Sequence, residues 1–135
     1  EIYRTELLKK YPFPEYKDEK FMPESVIWNR FSLMGLKVRW HKEGITVCEY
    51  LDCGLTSAMK SISHFDNNIK GYKDDCEISL KALKFPYNIS AGSVFCAKCI
   101  ALGRTEKSMD CFDITFFERL LILLFGIVRY RTGRF

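Results

Sequence analysis

The chain has 135 residues, of which 47% are hydrophobic and 28% charged, and its formal net charge is +4. This length suits one domain with a single core, and the balance of apolar and charged residues excludes an intrinsically disordered chain. A net charge of +4 is a mild bias and gives no reason to expect a nucleic-acid partner.

The chain opens with a short amphipathic pattern. Between Ile2 and Lys10 apolar residues are interspersed with charged ones, which predicts a helix ending at Lys10. The chain begins at Glu1 rather than Met and enters this helix directly, so we expect it to be a piece of a longer protein. Residues 11–16 contain two prolines and are predicted to form a loop.

A second helix is predicted from Glu24 to about Leu33. Pro23 suits the first turn of a helix, and the carboxylate of Glu24 is favourable at the positive end of the helix dipole. Gly35 is expected to end this helix.

Two β-rich runs follow, residues 37–41 and residues 45–51, which predict a hairpin or two neighbouring strands. Residues 52–57 are predicted to form a turn, with Gly54 at a positive φ. The small β element is thus expected to have two or three strands.

The rest of the chain is predicted to be helical. Helices are expected from Ser57 to about Phe65, from Lys70 to Lys84 and from Ser90 to Leu102, with a polar break over residues 103–110. The predicted fold class is therefore α+β, mostly helical, in a single domain that covers residues 1–135.

The last predicted helix lies in residues 112–135 and is unusually apolar. A continuous apolar run extends from Leu120 to Val128, which is far too short for a membrane span of about 20 residues. A helix that is apolar all round needs cover, and we expect burial in the core or against a missing part of the protein in preference to membrane contact. Three arginines follow the run and would favour an anionic membrane surface: Arg129, Arg131 and Arg134.

Three motifs carry a resemblance to a known family. Residues 11–30 read YPFPEYKDEKFMPESVIWNR, residues 48–57 read CEYLDCGLTS, and Lys70-Gly-Tyr is a shorter third element. In this order and spacing they resemble bacterial family 2 glycosyltransferases of the GT-A type, which carry FPE…EKF-x-PES-x-x-WNR followed by EYLEDGLT. The resemblance is dense over residues 1–72 and thin beyond them.

The resemblance implies a particular half of the family's fold. That fold joins a nucleotide-binding half, which ends in a metal-binding Asp-x-Asp, to an acceptor-side half that supplies a catalytic carboxylate. This sequence resembles only the second half and contains no Asp-x-Asp. We therefore expect the acceptor-side part of an inverting enzyme that transfers sugar from a nucleotide-sugar to a cell-surface polysaccharide or glycolipid. Mg²⁺ or Mn²⁺ would bind to the other half, and the fragment alone would be inactive.

Inverting transfer needs a carboxylate that accepts the proton of the acceptor hydroxyl. The resemblance places this base near a loop-to-helix junction, which makes Glu24 and Glu19 the candidates. We favour Glu24 slightly, because helix separates it from the Trp28-Asn-Arg30 end of the motif. The alternative is that Glu24 only caps its helix.

Four further residues are candidates for acceptor binding: Trp28, Arg30, Trp40 and Asp52. We expect Trp28 to lie in the core and leave Trp40 open, since indole rings also stack on sugars. Asp52 stands where the family has a Glu-Asp pair, and a simple turn is the favoured interpretation. His41 and His64 have no partner at metal-ligand spacing, so no metal site is expected in this chain.

Six cysteines are expected to be free thiols in a reducing cytoplasm. Cys96-Ala-Lys-Cys99 has no second pair, so buried inert thiols are favoured over a small metal or redox domain. A second alternative is a non-catalytic binding or oligomerisation module. We also expect self-association, because a severed half exposes the surface that faced its partner, and a cytoplasmic location with the inner face of the membrane as an alternative.

Overall fold

The computed structural model of the chain describes residues 4–37, residue 43, residues 54–104 and residues 112–134. Within these residues the protein has seven α-helices and no β-strand. The expectation of a mostly helical fold is therefore confirmed for this part of the chain. Apart from Lys37, the two predicted β-runs lie outside the described residues.

The N-terminal part consists of two short helices and the proline-containing loop between them. Helix α1 spans Thr5–Lys10, and helix α2 spans Ser25–Leu33. The first turn of α2 follows Pro23, whose carbonyl accepts a hydrogen bond from the Val26 amide. Beyond α2 the chain turns at Gly35, which has a φ of 73°. The helix predicted from Glu24 to Leu33 is thus confirmed.

One helix predicted from the sequence is two helices in the structure. Helix α3 spans Leu55–Ala58 and helix α4 spans Ile62–Asn67, whereas the pattern predicts a continuous helix from Ser57 to Phe65. The break has a local cause, because Ser61 has an extended backbone and its hydroxyl accepts the His64 amide at 3.1 Å. Ser61 therefore caps a new helix instead of continuing the old one.

The prediction for Gly54 is wrong. Its φ is −75°, a value open to any residue, and it occupies the N-cap position of α3 with an extended backbone. The turn at this point therefore does not depend on the conformational freedom of glycine.

Helices α5 and α6 form the centre of the protein. Helix α5 spans Ile69–Ala82 and α6 spans Tyr87–Ala101, so both predicted helices are present and α6 begins earlier than the predicted start at Ser90. Helix α5 packs against both α2 and α6, and α4 contacts both α5 and α6. The core cluster lies between α4, α5, α6 and the C-terminal helix: Phe65, Cys76, Ile89, Phe95, Cys96, Cys99, Phe112 and Ile122.

Helix α7 spans Phe116–Thr132 and packs along α6 in a parallel orientation. Asn88 contacts Glu118 near the start of both helices, and further along the pair Gly126 lies against Cys96. A Cβ at Gly92 would lie 2.7 Å from Ile122 Cδ1, and a Cβ at Gly126 would lie 2.8 Å from Cys96 Sγ. The two glycines therefore allow a close approach that no larger residue permits.

The outer side of α7 is exposed, so burial of the whole helix in this chain's own core is wrong, whereas burial against a missing part of the protein stays a prediction. Within the apolar run only Ile122 and Gly126 are buried, because α6 covers one stripe of the helix. Leu121 and Leu123 are half-buried against the core. Seven other apolar side chains of α7 are substantially exposed: Phe116, Phe117, Leu120, Leu124, Phe125, Ile127 and Val128. Within the described residues no helix is long and apolar enough to cross a membrane.

Candidate functional site

A cleft of about 610 Å³ lies in the loop between α1 and α2. This volume falls within the range of small-molecule sites, which is about 300–1,000 Å³. The cleft is lined by residues of the first resembling motif: Phe13, Pro14, Glu15, Tyr16, Lys17, Glu19, Lys20, Phe21 and Met22. Of the two predicted catalytic carboxylates, Glu19 lines the cleft and Glu24 is not among the lining residues.

The carboxylate of Glu19 is held by the start of α5. Its Oε1 accepts the Lys70 amide at 2.7 Å and its Oε2 accepts the Gly71 amide at 2.8 Å. These amides have no partner within their own helix, and the positive end of the helix dipole favours an anion there. The structure thus joins two of the three resembling motifs, which are far apart in the sequence, at a single carboxylate.

Asn68 binds the same loop directly after Glu19. Its Oδ1 accepts the amides of both Lys20 (3.0 Å) and Phe21 (2.9 Å), and its Nδ2 donates to the carbonyl of His64 at 2.8 Å. The residue is only 6% exposed. Three of the four hydrogen-bonding sites of this side-chain amide have protein partners, so its orientation is defined.

Tyr16 forms a polar edge of the cleft. Its hydroxyl donates to Asp74 Oδ2 at 2.8 Å, and the ammonium of Lys70 lies 5.6 Å from the centre of its ring. The hydrogen bond to Asp74, and then burial, raise the pKa of Tyr16, so the hydroxyl stays protonated at neutral pH. The positive charge of Arg30 acts in the opposite direction on the pKa of Tyr16, and Arg30 is not among the residues that line the cleft.

Glu24 has a different setting. It stands at the N-cap position of α2, is exposed, and makes no side-chain hydrogen bond to the helix. Its backbone carbonyl accepts hydrogen bonds from the amides of Ile27 and Trp28, so Glu24 contributes to the start of the helix through its main chain only. The side chain is therefore neither a cap nor part of the cleft lining.

Of the acceptor-binding candidates Trp28, Trp40 and Asp52, the structure describes only Trp28. Trp28 is half-buried beside Phe31, with ring centroids 6.2 Å apart. Trp40 and Asp52 lie outside the described residues, as does the second resembling motif apart from its last four residues.

Behind the cleft, α2 and α5 are joined by polar side chains. Ser25 Oγ donates to Asp75 Oδ1 at 2.5 Å, and Asn29 Nδ2 donates to Ser79 Oγ at 2.9 Å. Burial raises the pKa of Asp75, and the hydrogen bond from Ser25 offsets part of that rise because it favours the ionised form.

Lys98 on α6 is a buried cation without a carboxylate partner among the described residues. It is 8% exposed, and its ammonium lies 5.0 Å from the ring centre of Tyr72 and 5.3 Å from that of Phe65. Burial lowers the pKa of Lys98, and the two ring faces supply the local compensation for its charge. The aromatic partners of Lys98 come from α4 and α5, so no local sequence pattern reveals this contact.

The cysteines that the structure describes lie in the core. Cys76, Cys96 and Cys99 are buried free thiols, and burial raises the pKa of Cys96 to about 11. A thiol with so high a pKa carries little thiolate at neutral pH and is a poor nucleophile or metal ligand. In residues 4–37, 54–104 and 112–134 no three His, Cys, Asp or Glu side chains are grouped so that they could hold a metal ion.

Comparisons with known proteins give no match. No protein family, curated protein or solved structure is similar to the chain at a significant level.

Sequence reasoning missed Asn68, Asp74 and Lys98. Asn68 offered one signal, since Asn immediately before a helical pattern is a common N-cap residue. Its actual partners lie 47 and 48 residues earlier in the chain, and no local pattern reveals them.

Proposed function

We propose that this chain is the acceptor-side part of an inverting glycosyltransferase and that Glu19 is its general base. The observation that carries the proposal concerns the Glu19 carboxylate. It belongs to the first resembling motif, accepts the amides of Lys70 and Gly71 in the third, and lines a cleft of suitable size. Support also comes from Tyr16, whose ring and hydroxyl offer a flat surface and a polar group at the same cleft. The resemblance of residues 11–30 to the glycosyltransferase motif supplies the reaction class.

Glu19 retains capacity to accept a proton while it is held in place. An ionised carboxylate has about four lone-pair sites, and the amides of Lys70 and Gly71 use two of them. A free lone pair accepts the proton of the acceptor hydroxyl as its oxygen bonds to the anomeric carbon. The bond from that carbon to the nucleotide diphosphate breaks with its electron pair, and the configuration at the carbon inverts.

The proposal assigns donor binding to a part of the protein that the described residues do not contain. No step proposed for Glu19 passes through a metal. Mg²⁺ or Mn²⁺, the nucleotide-sugar and a saccharide or lipid-linked acceptor remain the partners that the resemblance implies. The chain by itself holds half of the required cleft and is expected not to turn over.

The test of Glu19 compares two carboxylates of the same motif. In the full-length polypeptide encoded by the reading frame, Glu19→Gln should lower kcat for sugar transfer from UDP-sugars about 100-fold or more. Glu24→Gln is the matched control and should leave kcat within about twofold, because its side chain contacts no part of the cleft. Equal activity of the Glu19→Gln variant and the unmodified protein, or a larger loss in Glu24→Gln, would reject Glu19 as the base.

We also propose that the outer face of α7 contacts an anionic membrane surface at the inner face of the membrane. Four aromatic side chains cluster where α6 and α7 begin: Phe85 (72% exposed), Tyr87 (70%), Phe116 (82%) and Phe117 (65%). Arg131 and Arg134 are exposed at the opposite end of α7. Apolar area combined with basic residues is the pattern of helices that lie in a membrane interface.

Vesicle sedimentation tests the membrane proposal. The chain should bind phosphatidylcholine vesicles that contain phosphatidylglycerol and bind pure phosphatidylcholine much less. Phe116→Ser combined with Phe117→Ser should weaken binding about tenfold or more, because two exposed rings are lost. Leu55→Ser, at an exposed apolar residue on α3, is the control. Without lipid the same face is expected to cause self-association. If the chain forms a stable dimer and does not bind vesicles, the partner of this face is a second copy of the chain and the membrane proposal is rejected.

A further inference from the structure

We propose that Asn68 is a positioning residue that fixes the Glu19 carboxylate in the cleft. This inference rests on the function proposed above for Glu19, and its first test is independent of that function. At the beginning of α5, the residue in the N-cap position is not the residue whose side chain caps the helix.

Asn68 occupies the N-cap position of α5 but does not cap it. An N-cap Asn usually accepts the amide of the second or third helical residue, which here are Lys70 and Gly71. Its side chain makes no such bond, and both amides are taken by Glu19 instead. The helix therefore gives up its local cap and is capped by a carboxylate 51 residues earlier in the chain.

The freed amide of Asn68 binds the residues that follow Glu19. Lys20 and Phe21 both donate their backbone amides to Asn68 Oδ1, so the loop is fixed directly after the carboxylate. Because both amides bind the same oxygen atom, neither peptide unit can rotate without losing its hydrogen bond. The backbone conformation directly after Glu19 is therefore fixed. The bond from Asn68 Nδ2 to the His64 carbonyl prevents the amide from rotating away.

Close contact between loop and helix completes the arrangement. A Cβ at Gly71 would lie 3.0 Å from the Phe21 carbonyl oxygen and 3.4 Å from Met22 Cε and Sδ. The ring of Phe21 packs on His64 (4.9 Å between centroids) and Tyr72 (5.7 Å). The loop and the start of α5 are therefore in contact through other residues as well. The role of Asn68 is to set the orientation of Glu19 within that contact.

Amide hydrogen exchange in the chain tests the link between Asn68 and Glu19 by a double-mutant cycle. Asn68→Ala should accelerate exchange of the Lys70 and Gly71 amides about tenfold or more, because misplacement of Glu19 removes their charged acceptor. In a Glu19→Ala background Asn68→Ala should cause no further acceleration at these two amides. Asn67→Ala is the matched control, since Asn67 is exposed and adjacent and makes no side-chain bond that the structure shows.

Equal acceleration by Asn68→Ala with and without Glu19 would overturn the proposal, because Asn68 would then only stabilise α5. If Asn68→Ala does not fold, Asn68→Asp takes its place. Asp keeps the oxygen acceptor for the Lys20 and Phe21 amides and loses the donor to His64. Retained protection at Lys70 and Gly71 supports positioning through the acceptor, and a further acceleration by Asn68→Asp in the Glu19→Ala background contradicts it.

The second measurement concerns catalysis in the full-length polypeptide. Asn68→Ala should lower kcat about tenfold or more with little change in KM for the acceptor, and it should cause no further loss in a Glu19→Gln background. A rise in KM with constant kcat would contradict positioning of the base. If the unmodified protein transfers no sugar and the exchange cycle still holds, the proposed function fails while the Asn68–Glu19 link stands.

Discussion

Two helix interfaces of this protein, α2 with α5 and α6 with α7, differ in the balance between hydrogen bonding and close backbone approach. Loop 11–24 and α2 are joined to α5 by side-chain hydrogen bonds, including those of Glu19, Asn68 and Asp75. Helices α6 and α7 approach each other closely at Gly92 and Gly126. Side-chain hydrogen bonds from Asn88 to Glu118 and from Arg129 to Ser90 and Ser93 also connect these two helices. Hydrogen bonds are directional and fix the placement of individual atoms, whereas close packing fixes the separation of whole helices. The first interface can therefore hold a reactive group in place, and the second supplies stability.

The largest effect is expected from filling the α6–α7 contact. Gly126→Ala places a methyl group 2.8 Å from Cys96 Sγ and 3.0 Å from Cys96 Cβ, so the helices must separate. The free energy of unfolding should fall by about 2–3 kcal/mol in urea titrations. Leu124→Ala, at an exposed site on the same helix, should change it by about 0.5 kcal/mol or less. Similar values for the two variants would show that the close approach is not required.

A smaller loss is expected when one polar connection is removed from the other interface. Ser25→Ala deprives the Asp75 carboxylate of its hydroxyl donor and should lower the free energy of unfolding by about 1–2 kcal/mol at neutral pH. Burial raises the pKa of Asp75 in the folded state, and Ser25 favours its ionised form. The loss should therefore diminish as pH falls through the pKa of Asp75 and the carboxyl becomes neutral.

The control for that measurement is Ser32→Ala, which removes an exposed hydroxyl from the same helix. It should leave the free energy of unfolding within about 0.5 kcal/mol of the unmodified chain. A Ser25→Ala loss that stays constant from neutral to acidic pH would mean that the ionised form of Asp75 is not what Ser25 stabilises.

The smallest predicted effect has the opposite sign. Lys98→Met replaces a buried ammonium with an apolar side chain of similar length and should raise the free energy of unfolding by about 1 kcal/mol at neutral pH. The pKa of Lys98 is lowered in the folded state, so the unmodified chain gains stability as pH rises toward the unfolded value of 10.5. The advantage of Lys98→Met should shrink over that range.

Lys73→Met, at a half-buried position on α5, is the comparison for Lys98→Met and should have a smaller effect. A marked loss of stability in Lys98→Met would show that the contacts of the ammonium with Phe65 and Tyr72 outweigh its desolvation.

The sequence predicted the helices whose signals are local. Pro23 and Gly35 bound α2 as expected, because a proline in front of a helix and a glycine behind it act within one turn. Ser61 was missed as a helix start because serine also occurs inside helices, and only its extended backbone reveals the cap. The exposed face of α7 could not be foreseen either, since composition shows that the run is apolar but not which side α6 covers.

The candidate site was only partly accessible from the sequence. Glu19 and Glu24 were both proposed from their motif, and the structure separates them by what each carboxylate contacts. That separation depends on the start of α5, whose amides lie 51 and 52 residues beyond Glu19. Pairing over such a distance is decided by the packing of α2 on α5, and no spacing rule encodes it.

The parallel course of α6 and α7 has an electrostatic consequence. Two parallel helices bring their positive ends together, each equivalent to about half an elementary charge. Glu118 lies at this junction: it accepts hydrogen bonds from the amide and hydroxyl of Thr115 and one from Asn88, and the bonds from Thr115 lower its pKa. One ionised carboxylate therefore balances two aligned macrodipoles. A single side chain at this junction thus serves the starts of both helices, through the backbone amide of Thr115 before α7 and the side chain of Asn88 in α6.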